Sequence, residues 1–298
     1  MIESGILVMN KPQGFTSFDV IGKLRGILKI RRLGHTGTLD PMAEGVLPVL
    51  IGTAARACDI LPDETKTYRA GFRLGTVTDT QDSTGTVLET HDVNVTEAAL
   101  LDCIPQFCGE IQQIPPMYSA VQINGKRLYE LARAGKEIER PARTAFVKRI
   151  VLLQYHAENG CGEVEIECGK GTYVRTILHD IGQALGCGCC MTSLVRTAAC
   201  GFSIAEAHSF ETVQQAADSG TLETLVVPTD RLFSALPAIR LSEAQTKLYR
   251  NGVRLDLNRI ARIPEASPRC RVYGADNAFL GLAEPDREAG VLRVYKNL

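Results

Sequence analysis

Apolar and polar positions repeat along this chain with two periods, and the change from one to the other marks out its elements. Gly5–Met9 is an unbroken apolar-rich run leading into the turn-forming Asn10-Lys11-Pro12-Gln13-Gly14, which predicts a strand that ends there. Tyr68–Leu74, Phe146–Tyr155 and Glu163–Cys168 alternate closely enough with period two to be strands. Asp19–Leu28 and Val174–Leu185 carry apolar residues at helical spacing and predict two amphipathic helices, the second closed by Gly186. These elements follow no strict strand–helix–strand rhythm. The expected class is therefore α+β, a mixed central sheet flanked by helices and loops, and not a doubly wound sheet. Residues 205–240 are less periodic and acidic. Beyond them short apolar pieces recur at Arg271-Val272-Tyr273, Phe279-Leu280-Gly281-Leu282 and Val291-Leu292-Arg293-Val294-Tyr295. They predict a small C-terminal β-barrel over 239–298, after a first domain over 1–238.

Composition narrows the class. The chain has 298 residues, 45% of them hydrophobic and 22% charged, which excludes a disordered protein and is enough for a sizeable core. Its 33 Lys and Arg against 34 Asp and Glu leave a net charge of −1, which excludes a uniformly basic nucleic-acid coat. No apolar run approaches the ~20 residues of a membrane span. The first apolar stretch has no basic residue before it, so neither a membrane nor a secretory signal is expected and the cytoplasm is the expected location. In that compartment the ten cysteines read as reduced thiols.

Charge is distributed in blocks. Lys23–His35 holds five Lys and Arg and no acid, and the stretch between Leu74 and Lys126 holds seven acids and no Lys or Arg. Lys126–Arg149 then holds eight basic residues against three acids, so a nearly neutral protein can still present basic faces.

Several chemistries are excluded by their missing motifs. Gly169-Lys170-Gly171-Thr172 lacks the spacing of a phosphate-cradling P-loop, no G-x-G-x-x-G follows a strand, and no G-x-S-x-G nucleophile turn occurs. Cys187 and Cys190 form a C-x-x-C with Cys189 between them, but no second such pair completes a zinc site, and idle thiols are the expectation. The stretch that carries chemistry is Gly34-His35-Thr36-Gly37-Thr38-Leu39-Asp40-Pro41. Its two glycines free the backbone to turn, while His35, Thr36, Thr38 and Asp40 place polar groups on one loop. Structurally, Asp40 before Pro41 reads as a helix N-cap.

The chain resembles the TruB family of pseudouridine synthases over nearly its whole length. The resemblance rests on G-H-x-G-T-L-D-P and on four further blocks in order: Asn10-Lys11-Pro12-Gln13-Gly14, Lys66-Thr67-Tyr68-Arg69-Ala70, Ile114-Pro115-Pro116-Met117-Tyr118-Ser119-Ala120 and Gly169-Lys170-Gly171-Thr172-Tyr173-Val174-Arg175-Thr176. It implies the pseudouridine synthase fold with a C-terminal PUA-like RNA-binding barrel. It also implies an isomerase that detaches the uracil of uridine 55 in the tRNA T loop and rejoins it through carbon 5, with no cofactor and no metal. Asp40 matches the family's nucleophile, acting at ring carbon 6 or at the sugar's anomeric carbon. Arg175 matches the arginine that keeps that carboxylate ionised. Tyr68 matches a pocket tyrosine that stacks on the flipped base and is a candidate to accept the carbon-5 proton, a role for which an ordinary phenol needs help from its neighbours. Tyr173 and Leu194 match two further uracil-pocket positions, and His35 matches the residue that replaces the extruded nucleotide. Lys11 is assigned to support of the active-site loop.

The resemblance also implies that 109–143 is a thumb-like insertion clasping the T loop. Its Lys126, Arg127, Arg133, Lys136, Arg140 and Arg143 would meet phosphates. The C-terminal barrel would extend contact along the acceptor arm. Apart from the resemblance, a monomer is the default expectation. Three departures stand out. Cys189-Cys190 is unusual for the family, Val195 before Arg196 replaces a frequent basic pair, and the C-terminal region is short. The first two are expected to alter RNA contacts and not the chemistry, and the third bears on the extent of acceptor-arm contact. The alternatives are the catalytic subunit of a guide-RNA particle and a tRNA-folding chaperone.

Overall fold

Both faces of the first strand, Ser4–Lys11, are buried, which is why its sequence reads as a continuous apolar run and not as an alternation. Ile6 and Val8 enter one apolar cluster with Val46, Leu50 and Phe233. Leu7 and Met9 enter another with Val20, Leu24 and Leu47. This computed structural model describes residues 2–62, 65–261, 263 and 267–298.

Among the described residues the main sheet has ten strands. Its path runs Val226–Val227, Ser4–Lys11, Glu44–Gly52, Cys189–Ala199, Lys66–Leu74, Cys161–Cys168, Arg143–His156, Gly109–Gln113. Leu33–His35 and Phe202–Ser203 pair beside this path. Glu44–Gly52 and Cys189–Ala199 pair in parallel, with Val195 opposite Glu44 and Arg196 opposite Gly45. The other joints along the path are antiparallel, so the sheet is mixed and the class is α+β.

The two predicted helices cover this sheet. Ser17–Leu28 starts two residues before the predicted Asp19, because Thr16 is the cap and Asp19 is its partner. The Asp19 N–H donates to the Thr16 hydroxyl at 3.0 Å, and the Thr16 N–H donates to the Asp19 carboxylate at 2.8 Å. Val20, Ile21, Leu24 and Leu28 form its buried stripe. Val174–Ala184 buries Val174, Ile177, Leu178 and Ile181 against Phe72, Val164 and Ile166 near the other end of the sheet. Each fully buried aliphatic side chain stabilises this packing by roughly 1.5–3 kcal/mol. Gly186, at φ +74°, closes the helix as predicted, donating its N–H to the Gln183 carbonyl at 3.0 Å.

Three expectations shift. The first strand continues through Asn10 and Lys11, and the chain leaves the sheet only at Pro12. The ends of 109–143 belong to the main sheet, where Gly109–Gln113 pairs with Arg143–Val147 as its edge. What lies between carries a small hairpin, Gln122–Ile123 with Lys126–Arg127, and the helix Leu128–Arg133. The C-terminal pieces form a five-stranded sheet in the order Ala238–Arg240, Cys270–Tyr273, Phe279–Asp286, Val291–Asn297, Leu255–Asp256. The sequence predicts a small β-barrel, and among the described residues this path is an open sheet. It has a core of its own, in which Val272, Leu280 and Leu292 pack with Tyr249, while Leu282, Phe279 and Tyr295 pack with Ile6 and Val46 of the first core. Among the described residues, no helix is long and apolar enough to cross a membrane.

Candidate active site

The loop that bears Asp40 runs from the end of the Leu33–His35 strand to the start of Glu44–Gly52. Asp40 does not cap a helix. Its carbonyl accepts the Ala43 N–H at 3.0 Å, closing a turn with Pro41 as its second residue, and the chain then enters a strand. Gly45 is the reason it can do so at once. Its φ is +103°, and a Cβ there would stand 2.2 Å from the Arg196 carbonyl oxygen, so only glycine lets the two strands meet.

Four residues fix this loop, three from the stretch 11–17 and one from the Cys189–Ala199 strand. Ser17, the first residue of its helix and buried, accepts the Leu39 N–H at 2.9 Å. The Pro41 carbonyl accepts the Gly14 N–H at 2.8 Å and the Lys11 ammonium at 3.4 Å. Lys11 also donates to the carbonyls of Pro12 at 2.9 Å and Phe15 at 2.6 Å. Burial lowers its pKa to about 8, against the opposing charges of Glu44 and Asp40. Arg196 donates from Nη2 to the Gly37 carbonyl at 3.2 Å, from Nη1 to Thr38 at 3.3 Å and from Nε to Val46 at 2.7 Å.

Over the loop lies a cavity of about 400 Å³, whose walls include Asp40, Tyr68, Tyr173, Arg175 and Leu194. Five sequence-predicted residues therefore converge on one space. Lys11 lies behind the loop, and His35 stands at its start, outside the cavity wall. Arg175 is the second residue of the Val174–Ala184 helix. The backbone of the preceding Tyr173 is clamped by Gln113, which accepts its N–H at 3.0 Å and donates to its carbonyl at 3.2 Å. The Arg175 side chain is 5% exposed, and its Nη2 lies 3.0 Å from Asp40 Oδ2. The same nitrogen donates to the Tyr118 carbonyl at 2.7 Å. Its Nη1 lies 3.5 Å from Asp82 Oδ2 and donates to the Thr80 carbonyl at 3.4 Å.

The electrostatics of Asp40, Tyr68 and His35 follow from these neighbours. The Asp40 side chain is 37% exposed toward the cavity, yet crowding by protein raises its pKa above the ordinary carboxylate value. Arg175 opposes that rise, Asp82 adds to it, and Lys11 opposes it. Tyr68 is 7% exposed. Burial pushes its phenol up to about 12, and the neighbouring Arg196 opposes this only in part. Burial outweighs the help that Arg196 gives, which favours the neutral phenol at Tyr68. The His35 pKa is lowered by burial and by Arg196, and a hydrogen bond to the Gly37 backbone opposes this, so a flat neutral ring stands at the head of the loop.

Two site residues escape the sequence reading. Asp82 lies in the acidic stretch that has no Lys or Arg. It is 3% exposed, and its Oδ1 accepts from the Thr80 hydroxyl at 2.8 Å and the Thr84 N–H at 2.9 Å, which leaves Oδ2 for Arg175. Arg196 enters the sequence reading only as the second half of the Val195–Arg196 departure, and its side chain is fully buried beneath the loop. The signal for Asp82 was the Thr-x-x-x-Thr that brackets it, and for Arg196 a single charge inside an apolar strand.

All ten cysteines are free thiols, and Cys187, Cys189 and Cys190 are buried. Among the described residues no three His, Cys, Asp or Glu side chains stand close enough to share a metal ion. Of the basic residues of the insertion, Lys126, Arg127, Arg133, Lys136 and Arg143 are exposed, and Arg140 is half-buried beside Glu137 at 3.2 Å. Arg127 and Arg133 flank the Tyr129 ring at 5.8 and 5.5 Å.

A family model described as TruB family pseudouridylate synthase, N-terminal domain, matches residues 25–174, and one described as tRNA pseudouridylate synthase B C-terminal domain matches residues 175–234. The chain belongs to the TruB family of pseudouridine synthases. It is 42% identical to a tRNA pseudouridine synthase B of Bacillus cereus over 301 residues, 99% of this chain and 97% of that one. With its Mannheimia succiniciproducens counterpart it shares 39% identity over 283 residues, 94% and 91% of the two chains. The fold is also that of a chain in a Cbf5–Nop10–Gar1 complex, with a TM-score of 0.74 at 23% identity over 99% of this chain and 85% of that one. The two TruB matches meet between Val174 and Arg175, so Asp40 and Arg175 come from different matched segments that fold onto one cavity.

Proposed function

We propose that this chain isomerises uridine to pseudouridine in tRNA, acting on uridine 55 of the T loop. The observation that carries the reading is the Asp40–Arg175 pair at 3.0 Å inside a cavity walled by Tyr68, Tyr173 and Leu194, in a chain of the TruB family. A cavity of about 400 Å³ is of the size that holds a small planar ligand. The target uridine leaves the stack and enters it, and His35 fills the place it vacates, offsetting part of an unstacking cost of a few kcal/mol. Tyr68, Tyr173 and Leu194 hold the uracil by stacking and apolar contact.

Asp40 then forms a covalent bond with the nucleotide. The bond between the sugar's anomeric carbon and N1 breaks, the uracil turns in the cavity, carbon 5 bonds to the sugar, the Asp40–nucleotide bond breaks to return the carboxylate, the carbon-5 proton is lost to solvent and N1 takes up a proton from it. No atom is gained or lost overall, and the reading requires neither cofactor nor metal. Arg175 keeps Asp40 ionised against its burial, and Asp82 holds Arg175. A neutral Tyr68 serves here as a stacking surface and hydrogen-bond donor.

The excursion between Gln113 and Arg143 acts as a thumb on the T arm, with Lys126, Arg127, Arg133, Lys136, Arg140 and Arg143 toward phosphates. The C-terminal five-stranded sheet acts as a PUA-like module that extends contact toward the acceptor arm. The protein acts as a monomer in the cytoplasm. Mapping the product tests the assignment. An unmodified tRNA transcript is treated with the protein, then with a carbodiimide that marks pseudouridine, and is read by primer extension. A single stop at the T-loop uridine is expected. Stops at other uridines only, or none, would contradict it.

A further inference from the structure

Arg196 places a full positive charge in the interior, with 0% of the residue exposed. Among the described residues no carboxylate stands within ion-pair distance of it. Such a charge is costly to bury, and here its nearest compensation is the three backbone carbonyls of Gly37, Thr38 and Val46. A neutral donor would have met fewer of them at lower cost, so the position of the guanidinium needs a reason.

The reason lies in what it joins. Arg196 sits at the parallel joint of the main sheet, opposite Gly45 on one neighbouring strand and opposite Tyr68 on the other. Its side chain reaches under the loop that ends in Asp40, so one residue links the carrier of the carboxylate to the carrier of the phenol. A planar fork with donors on three nitrogens can hold two successive carbonyls of a loop and a third on the following strand at once, which an ammonium cannot do in the same geometry.

We propose that Arg196 is a positioning residue for the isomerisation, setting the place of the Asp40 loop relative to Tyr68 and the bound uracil, without itself touching the substrate. This rests on the isomerase reading above. A displacement of about 1 Å at a reacting group costs on the order of 100-fold in rate, so the effect belongs in the chemical step and not in RNA affinity.

The test uses a T-loop stem-loop RNA tritiated at carbon 5 of uridine, full-length protein in excess, and single-turnover tritium release, with the RNA Kd and each variant's unfolding midpoint measured alongside. Every assay runs well below that midpoint. Arg196→Gln is expected to lose about 100-fold in rate, and Arg196→Lys, which keeps the charge but not the fork, about tenfold. In both, Kd should stay within about threefold of native. Arg196→Lys decides the matter if Arg196→Gln does not fold. Rates within twofold of native, or rate and Kd worsening together by the same factor, would overturn the proposal. Absence of release from the native protein would instead refute the isomerase reading, which keeps the two failures apart.

Discussion

Replacing Arg175 with Met removes the charge beside Asp40 while keeping an unbranched side chain of similar length. At the observed 3.0 Å, the attraction of two unit charges is about 5 kcal/mol at an effective dielectric of ~20. The 37% exposure of the Asp40 side chain lets solvent screen this, and about 2 kcal/mol is a reasonable remainder. That corresponds to about 1.5 pH units on Asp40. The sign is fixed by the chemistry. Asp40 already has a raised pKa through burial, Arg175 is the main opposing charge, and Asp82 left facing Asp40 would push the same way. Because only the ionised carboxylate reacts, the rate climbs as pH rises through that pKa. In Arg175→Met the acidic limb of the pH–rate profile should therefore move upward by about 1.5 units, on a plateau lowered by at least 100-fold through lost positioning. Single-turnover tritium release between pH 5 and 9, with circular dichroism at each pH to confirm folding, measures both. An acidic limb that stays in place, or moves downward, would refute the assignment of Arg175 as the group that keeps Asp40 ionised.

Four further outcomes follow from the same geometry. Asp82→Asn removes a charge that raises the Asp40 pKa, so its acidic limb should shift to lower pH, opposite to Arg175→Met, with some loss of rate as Arg175 loosens. Asp40→Asn should abolish release yet raise Tm by about 2 °C at pH 7.5 in differential scanning calorimetry. The sign follows because a carboxyl whose folded pKa exceeds its unfolded value costs stability once ionised, a cost that grows as pH rises from ~3.8 through the folded pKa. A neutral Tyr68 predicts a single-turnover rate that is flat from pH 7 to 9, whereas a phenolate base with its pKa near 12 would make it climb about tenfold per unit. Replacing Lys126, Arg127 and Arg133 together with Gln should lower the slope of log Kd against log salt by about 2, leaving the single-turnover rate at saturating protein unchanged.

What the sequence revealed and what it hid divide along the distance between partners. The strand at Tyr68–Leu74 and the helix from Val174 are local patterns, and their apolar spacing is enough to place them. The Asp40–Arg175 ion pair is legible as well, because each residue sits in a compact motif of the TruB resemblance. The helix cap expected at Asp40 is a fair local reading of Asp-Pro, overridden because Gly45 can carry the chain straight into a strand against Arg196. Arg196 itself could not be read: its partners Val46, Thr38 and Gly37 lie 150, 158 and 159 residues away, and nothing nearby says that a lone arginine turns inward. Asp82 was obscured by company, one acid among seven in a stretch with no Lys or Arg, although it is the one that turns toward Arg175. The C-terminal strands expected of a small barrel are local patterns too, but their packing is not: Val272, Leu280 and Leu292 gather on a core of their own with Tyr249, while Leu282 and Phe279 pack on the first core.

The central claim is that Asp40 in this cavity isomerises a tRNA uridine. Its most direct test is tritium release to water from unmodified tRNA labelled at carbon 5 of uridine, with the native protein and Asp40→Asn compared and no metal or nucleotide added. The account predicts about one tritium released per tRNA by the native protein, none by the variant, and equal tRNA binding by both. A native protein that binds the tRNA but releases no tritium, or a variant that releases it as the native protein does, would contradict it.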